Sequence, residues 1–405
     1  MNTPHVLYIS GSLGLGHVTR DLAIAHQIRN RIPDADICWL AVHPASAVLE
    51  RAGEHVLPEA ADLANENAFA EESSRESGLN LLKYILASRN AWRQNVEVFA
   101  RVVASRAFDL VIGDETYEIN LALRHRPELK RWPFVMIFDF VGLDAMTRSP
   151  LERLGVHIWN RKWCRDYRLN RRPPYDLGLF IGEPEDVPDQ PFGFGLPNRR
   201  AFATAMYTFV GYVFPFDPAD LADRPSLRRE LGYGPAPLVV VSIGGTSIGK
   251  DLLVLCGAAF RIARATIPTL HMVLVAGPRL ATGGLPLPPE VEVRAFVPDL
   301  YKHFAVCDLA VVQGGATSTL ELTALGRPFI YIPLEGHSEQ AGVARILRRR
   351  GAGVEMKRSA TSPAMLAKVV VDMVGADVNC PRIPTDGAHR AARHIVELMQ
   401  RRSPE

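Results

Sequence analysis

Four glycine-rich loops constrain this chain more than anything else in it: GSLGLGH (11–17), GGTSIGKD (244–251), QGGATSTLE (313–321) and PLEGHSEQ (333–340). Each follows a short run of β-branched and aliphatic residues and opens a helical stretch. Strand, then glycine, then helix is the order of a parallel α/β sheet. Its strands are buried on both faces, and its ligands bind in the loops at the strands' carboxyl ends.

The strand candidates are 5–10, 36–42, 108–113 and 134–138 in the first half, and 238–243, 270–276, 291–296, 308–312 and 328–332 in the second. In 17–30, Val18, Leu22, Ala25 and Ile28 recur at helical spacing, so one stripe faces a sheet. Residues 251–265, 316–325 and 339–350 behave similarly. From 173 to 237 prolines and glycines are frequent and the helical period lapses, which places a linker near 210–237. A length of 405 residues suits two domains. The expected fold class is α/β, with two doubly wound, Rossmann-like domains facing across a cleft. Their bounds are 1–212 and 213–385, and an amphipathic helix in 386–405 packs back toward the first.

Composition removes several classes of function. With 47% hydrophobic and 22% charged residues, the chain is globular and has core enough to fold without staples. A net charge of +2 argues against a global polyanion-binding surface, so no nucleic-acid partner is expected. The five cysteines (38, 164, 256, 307, 380) are scattered and form no CxxC pair, which reads as reduced thiols rather than disulfides or a zinc site. No apolar run approaches the roughly eighteen residues of a bilayer span, and MNTPHVLYISGS lacks a basic n-region. A cytoplasmic protein is expected. The acidic stretch 59–77 reads as a solvated loop.

The loops differ in what they can hold. In the first, the glycines are spaced G-x-x-G-x-G rather than G-x-G-x-x-G, and the second strand candidate ends at His43, where a nicotinamide-binding fold wants an acid. That argues against a dinucleotide cofactor. His17, at the first helical turn, is either a structural histidine or a reactive one. The second loop nearly matches a P-loop, but Asp251 stands where Mg²⁺ coordination needs a hydroxyl. It reads as a plain turn with Thr246 and Ser247 as polar contacts. In the third, Gly314 and Gly315 let the backbone approach a ligand. Thr317 and Ser318 supply hydroxyls in the first turn, unless they merely cap the helix. Glu321 can accept from two vicinal hydroxyls of a ribose. In the fourth, Glu339 and Gln340 suit sugar hydroxyls. The only Asp-x-Asp triplet, Asp34-Ala-Asp36, precedes the second strand, at the wrong edge of the sheet for a metal site among the loops at the strands' carboxyl ends.

Taken in order, the loops resemble the GT-B superfamily of nucleotide-sugar glycosyltransferases, in its MurG-like and UDP-glucuronosyltransferase-like branch. CDLAVVQGGATSTLELTALGRPFIYIPLEGHSEQAGVARILRRRGAGVEM and GSLGLGHVTR carry the resemblance, which is best over 238–356 and slight over 140–235. It implies an inverting, metal-independent transfer from a UDP- or TDP-sugar to an acceptor hydroxyl, without a cofactor. Gly14, Gly16, Gly244, Gly245, Thr246 and Gln313 would line the donor site, with Gln313 standing where many plant-type members have histidine. Gly314, Gly315, Thr317 and Ser318 would wrap the diphosphate, and Glu321 would hold the ribose. Glu339 and Gln340 would contact the sugar, while Phe296 and Val297 would lie against the base. His17 would be the general base, oriented by Asp114, with Glu115 in reserve.

Two other readings share these residues. A nucleotide-sugar hydrolase resembling the pseudaminic acid pathway enzyme has the same G-x-G-H-x-x-R loop, here Gly14 to Arg20, and a non-catalytic sugar-nucleotide-binding protein would keep only the donor loops. The acceptor is a small molecule or lipid-linked. Between 148 and 172, eight Arg and Lys (148, 153, 161, 162, 165, 168, 171, 172) alternate with Ile158, Trp159, Trp163 and Tyr167. That pattern is either a solvated basic face or a peripheral contact with an anionic inner membrane face.

Overall fold

The computed structural model describes residues 3–11, 16–64, 81–145, 149–244, 249–277, 280 and 284–401, without the side chains of 81–88 and 338. The chain divides into two compact units: Met1–Pro215 joined by Pro384–Glu405, and Phe216–Ile383.

The sheet of the first unit contains β1 (His5–Ile9), β2 (Asp36–Leu40), β3 (His55–Val56), β4 (Leu110–Asp114), β5 (Phe134–Phe138), β6 (Leu177–Ile181) and β7 (Thr208–Gly211). All pairings are parallel, in the order β3-β2-β1-β4-β5-β6-β7. The period of two explains why these runs are apolar throughout. Leu7 and Ile9 enter one core with Phe99, Phe134 and Phe180, while Val6 and Tyr8 enter the other with Trp39, Ile24 and Ile28. Tyr8 stacks on Trp39 at 4.4 Å between centroids.

The second unit repeats the plan with β8 (Leu238–Ser242), β9 (His271–Val275), β10 (Glu292–Arg294), β11 (Leu309–Val312), β12 (Phe329–Tyr331) and β13 (Val354–Glu355). Their order is β10-β9-β8-β11-β12-β13, again parallel. Val239 and Val241 face one core and Leu238 and Val240 the other. In both sheets the order reverses at one place, between β1 and β4 and between β8 and β11. Crevices at such reversals are the ligand sites of open α/β sheets.

The stretch 173–237 is not an open linker. It holds β6, β7 and the helices Arg199–Met206 and Arg224–Glu230, and the units divide after Pro215. The helix Gly387–Gln400 lies on the first unit, burying Ala388, Ala391, Ala392 and Ile395 beside Ile24 and Val210. Gly387 leads it in because no Cβ fits against the Tyr212 carbonyl, which its own N–H meets at 3.2 Å. Among the described residues no helix is long and apolar enough to cross a membrane.

Candidate active site

The reversal point of the first unit gathers charged side chains from three strand ends. His17 enters from the helix Gly16–Arg31 after β1, Asp114 and Glu115 from the end of β4, and Asp139 from just past β5. His17 Nδ1 lies 2.7 Å from Asp114 Oδ2. Gly11 leaves room for the ring, since a Cβ there would come within 3.0 Å of Nδ1. Asp114 is fully buried. Arg20, one turn after His17, donates from Nη2 to Asp114 Oδ1 at 2.5 Å and from Nη1 to Asp139 Oδ2 at 2.7 Å. Its Nη2 also approaches His17 Nδ1 to 2.8 Å. One ring nitrogen cannot both give and receive. With Arg20 committed to the two carboxylates, the network assigns the Nδ1 proton to Asp114 and leaves the Nε2 lone pair available.

The charges around the ring settle its basicity. Burial and Arg20 disfavour the imidazolium, but the charge and hydrogen bond of Asp114, helped by Asp139, outweigh them and raise His17 above 6.5. Burial alone would raise Asp114 and Asp139, yet Arg20 holds both below the usual carboxylate range. Glu115 goes the other way. Burial first, then the charge of Asp139 and a hydrogen bond with it, push its carboxyl well above the ordinary range and favour its protonated form. Behind them Asp21, wholly buried, accepts from Tyr8 Oη at 2.9 Å and Ser10 Oγ at 2.6 Å. Burial and the neighbouring Asp114 raise it strongly. Glu115 also has left-handed backbone, φ +52, which for a residue with a Cβ costs on the order of 1–3 kcal/mol and is typical of functional sites.

His17, Glu115 and Asp139 also bring three ligand atoms within 4.8 Å of one another, the only such group among the described residues. Arg20 pairs with both Asp114 and Asp139 and so brings one positive charge to the cluster. A histidine with Nδ1 against a buried carboxylate and, among the described residues, no hydrogen-bond partner on Nε2 is an arrangement that can act as a general base.

In the second unit, the helix Ala316–Ala324 begins at the reversal point with Gly315 as its N-cap and no side-chain cap. Thr317 and Ser318 therefore do not cap it. Thr317 is exposed and Ser318 half-buried, and the first-turn N–H groups remain available to an anion. Glu321 is 5% exposed, and its carboxyl has no hydrogen-bond partner among the described residues. Burial pushes it from 4.5 up to about 8. A Cβ on Gly314 would stand 2.9 Å from Cβ of Pro333, so glycine is what lets the loops after β11 and β12 touch. Gln313 is buried, with its Nε2 beneath Gly249. Gly244 is exposed at φ +80.

Other expected residues are placed differently. Gln340 is buried, and its Oε1 accepts from the Leu334 N–H at 2.7 Å, so it shapes the loop after β12, while Glu339 is exposed. Phe296 is exposed, whereas the Val297 side chain is turned into the core with Phe304. Gly16 opens its helix, half-buried. Gly14, Gly245 and Thr246 lie outside the described residues. In the basic segment, Trp163 packs on Tyr117 and Phe140, and Trp159 lies edge-on to Trp92. The exposed apolar stripe is instead Leu151, Leu154 and Ile158, at i, i+3 and i+7 of the helix Pro150–Trp163, continued by Tyr167 and Leu169. Arg148 is outside the described residues.

Arg20 and Asp139 escaped the sequence reading. Arg20 had a signal, three residues after His17 and so on the same helix face. Asp139 follows β5 as Asp114 ends β4.

Residues 276–391 match the glycosyltransferase family 28 C-terminal domain. A UDP-N-acetylglucosamine–N-acetylmuramyl-(pentapeptide) pyrophosphoryl-undecaprenol N-acetylglucosamine transferase of Mycobacterium sp. (strain JLS) is 33% identical over 44% of this chain and 50% of its own length. A protein named an uncharacterized glycosyltransferase from Methanosarcina acetivorans is 28% identical over 67% of this chain and 69% of its own. The chain spans about half the length of the first curated relatives it matches. Among solved structures, the calicheamicin glycosyltransferase CalG4 superposes over 100% of both chains with a TM-score of 0.60 at 18% identity. The glycotransferase of kitacinnamycin covers 99% of this chain and 96% of its own, with a TM-score of 0.62 at 15% identity. At such identities the likeness establishes the fold, two Rossmann-like units of the GT-B kind.

Proposed function

We propose that this MurG-like GT-B chain, whose residues 276–391 match the family 28 C-terminal domain, transfers a sugar from a UDP- or TDP-sugar to an acceptor hydroxyl. The observation that carries the reading is Glu321: a buried carboxyl with no hydrogen-bond partner among the described residues, in the second turn of a helix whose start has no side-chain cap, in the matched stretch. It suits a ribose diol, and the free N–H groups of the first turn suit the diphosphate beside it. In the first unit His17 Nε2 takes the acceptor proton, and the imidazolium that forms is held by Asp114. Displacement by an activated hydroxyl inverts the sugar. Arg20 does within the base cluster what a metal would otherwise do there, and the helix N-terminus stabilises the departing diphosphate.

The acceptor side is read from the segment 150–169, where exposed Leu151, Leu154 and Ile158 stand among Arg153, Arg161, Lys162 and Arg165. An apolar stripe flanked by cations suits an anionic membrane surface and hence a lipid-linked acceptor. The test is to incubate the chain with a panel of UDP- and TDP-sugars and assay free nucleoside diphosphate, with and without a lipid extract. Release that depends on the extract supports transfer; equal release without it means hydrolysis; binding without release means a sensor. Full activity in EDTA and an inverted anomeric signal in the product support the finer claims. Flotation on anionic vesicles at low salt tests the membrane contact, and a chain left wholly in the unbound fraction removes it.

A further inference from the structure

We propose that Glu115 is a further catalytic residue, which grips the oxygen of the acceptor's reacting hydroxyl beside His17. The inference rests on the reading above and adds a residue to it. Its basis is geometric. Glu115 Oε2 stands 3.8 Å from His17 Nε2. That is too long for a hydrogen bond between them, but one oxygen fits about 2.8 Å from both. Nε2 is the ring nitrogen left open once Nδ1 is tied to Asp114. The other side of the Glu115 carboxyl is occupied, since Tyr117 Oη meets Oε1 at 3.2 Å. The backbone takes left-handed dihedrals at this residue to aim the side chain there, with its N–H bonded to Ile137 O and its C=O accepting from Tyr117 N.

The groups facing this notch are Arg20 and Asp21 from the helix Gly16–Arg31, Tyr8 from β1, Asp114 from β4, Asp139 from beyond β5, and Tyr117 from the next helix. Arg20 is paired with Asp114 and Asp139. Asp21 and Tyr8 are paired with each other. Glu115 is therefore the group that shares a proton, held between it and Asp139. When a hydroxyl enters, its hydrogen points to His17 Nε2, and Glu115 turns its one O–H from Asp139, which stays paired with Arg20, to the incoming oxygen. During transfer the O–H bond breaks as its proton passes to Nε2, and the same oxygen forms the bond to the sugar carbon. The leaving diphosphate takes the electron pair of the breaking bond. Glu115 keeps its proton throughout and stabilises the charge that gathers on the oxygen.

The test uses the full chain with UDP-N-acetylglucosamine, a lipid extract as acceptor source and water as the minimal hydroxyl probe. Glu115→Ala is expected to lower both turnovers at least about tenfold, while UDP affinity and the unfolding temperature stay within error. Glu115→Gln keeps a donor and should recover most of that loss. The wild type should lose rate at alkaline pH as Glu115 ionises, and Glu115→Gln should lack that limb. An active wild type with an indifferent Glu115→Ala overturns this inference alone. So does a Glu115→Gln as impaired as Glu115→Ala, because the residue would then act as a carboxylate. A wild type that turns over no nucleotide sugar overturns the reading beneath it as well.

Discussion

Replacing Glu321 by glutamine should stabilise the unliganded protein and cripple its nucleotide binding together. The folded chain holds this carboxyl at about 8 against 4.5 for a free one, through burial. Between those values the folded protein carries a proton that the unfolded chain lacks, so stability falls by about 1.4 kcal/mol per pH unit as pH rises. At pH 7 the penalty reaches roughly 3 kcal/mol, growing to about 5 above pH 9. Glutamine has the same shape and never ionises. Its burial has its own cost, so the gain in urea unfolding at pH 7 should be about 1–3 kcal/mol. Below pH 4.5 the two proteins should converge. Calorimetry supplies the second half. If the carboxylate accepts from the ribose, binding UDP at pH 7 must expel nearly one proton from Glu321, visible as a dependence of the heat on buffer ionisation. The glutamine variant should expel none and bind about ten- to a hundredfold more weakly. A difference in stability that stays flat from pH 5 to 8, or equal UDP affinity, would refute the argument.

His17→Ala should lose at least about a hundredfold in turnover at saturating donor while UDP binding persists, and Asp114→Asn should lose less; steady-state assays of the pair check this. Because His17 is raised above 6.5 and must be neutral to act, turnover should climb with pH through a midpoint above 6.5. Asp139→Asn removes one of the charges that raise it, so that midpoint should move to lower pH. Gly11→Ala should push a methyl against the His17 ring, where 3.0 Å separates the ideal Cβ from Nδ1, and cut turnover more than it lowers the unfolding temperature. Leu154→Glu, on the exposed stripe, should abolish vesicle flotation without affecting UDP affinity.

The parallel sheets were legible because doubly buried strands such as FVMIF, and LVVVS up to its last residue, are continuously apolar. β6 was not, because Gly178 sits in it to make room for Tyr207, whose ring would lie 2.9 Å from a Cβ there, and that glycine reads as a loop signal. His17 and Asp114 could be paired from position alone, both being at strand ends of one sheet. Their electrostatics could not. Which acid keeps its proton depends on Arg20 reaching Asp139, 119 residues away, and only the folded chain shows that contact. The inward turn of Val297 was not legible for a related reason: adjacent residues past a strand end can part company, Phe296 outward and Val297 inward. In 148–172, aromatic residues looked like anchors because size suggests it, but the two tryptophans are half-buried against other aromatic rings and the leucines are exposed.

The helix Gly387–Gln400 makes the first unit a discontinuous object and the second an insertion within it. During synthesis on a ribosome, residues 216–383 can complete their own fold as soon as they emerge. The first unit cannot, for the apolar trough beside Ile24, Leu179 and Val210 stays uncovered until the segment carrying Ala391 and Ile395 is released. The half that emerges first is thus the last to finish. A cut near residue 384 would uncover the N-terminal unit rather than the one that ends beside it.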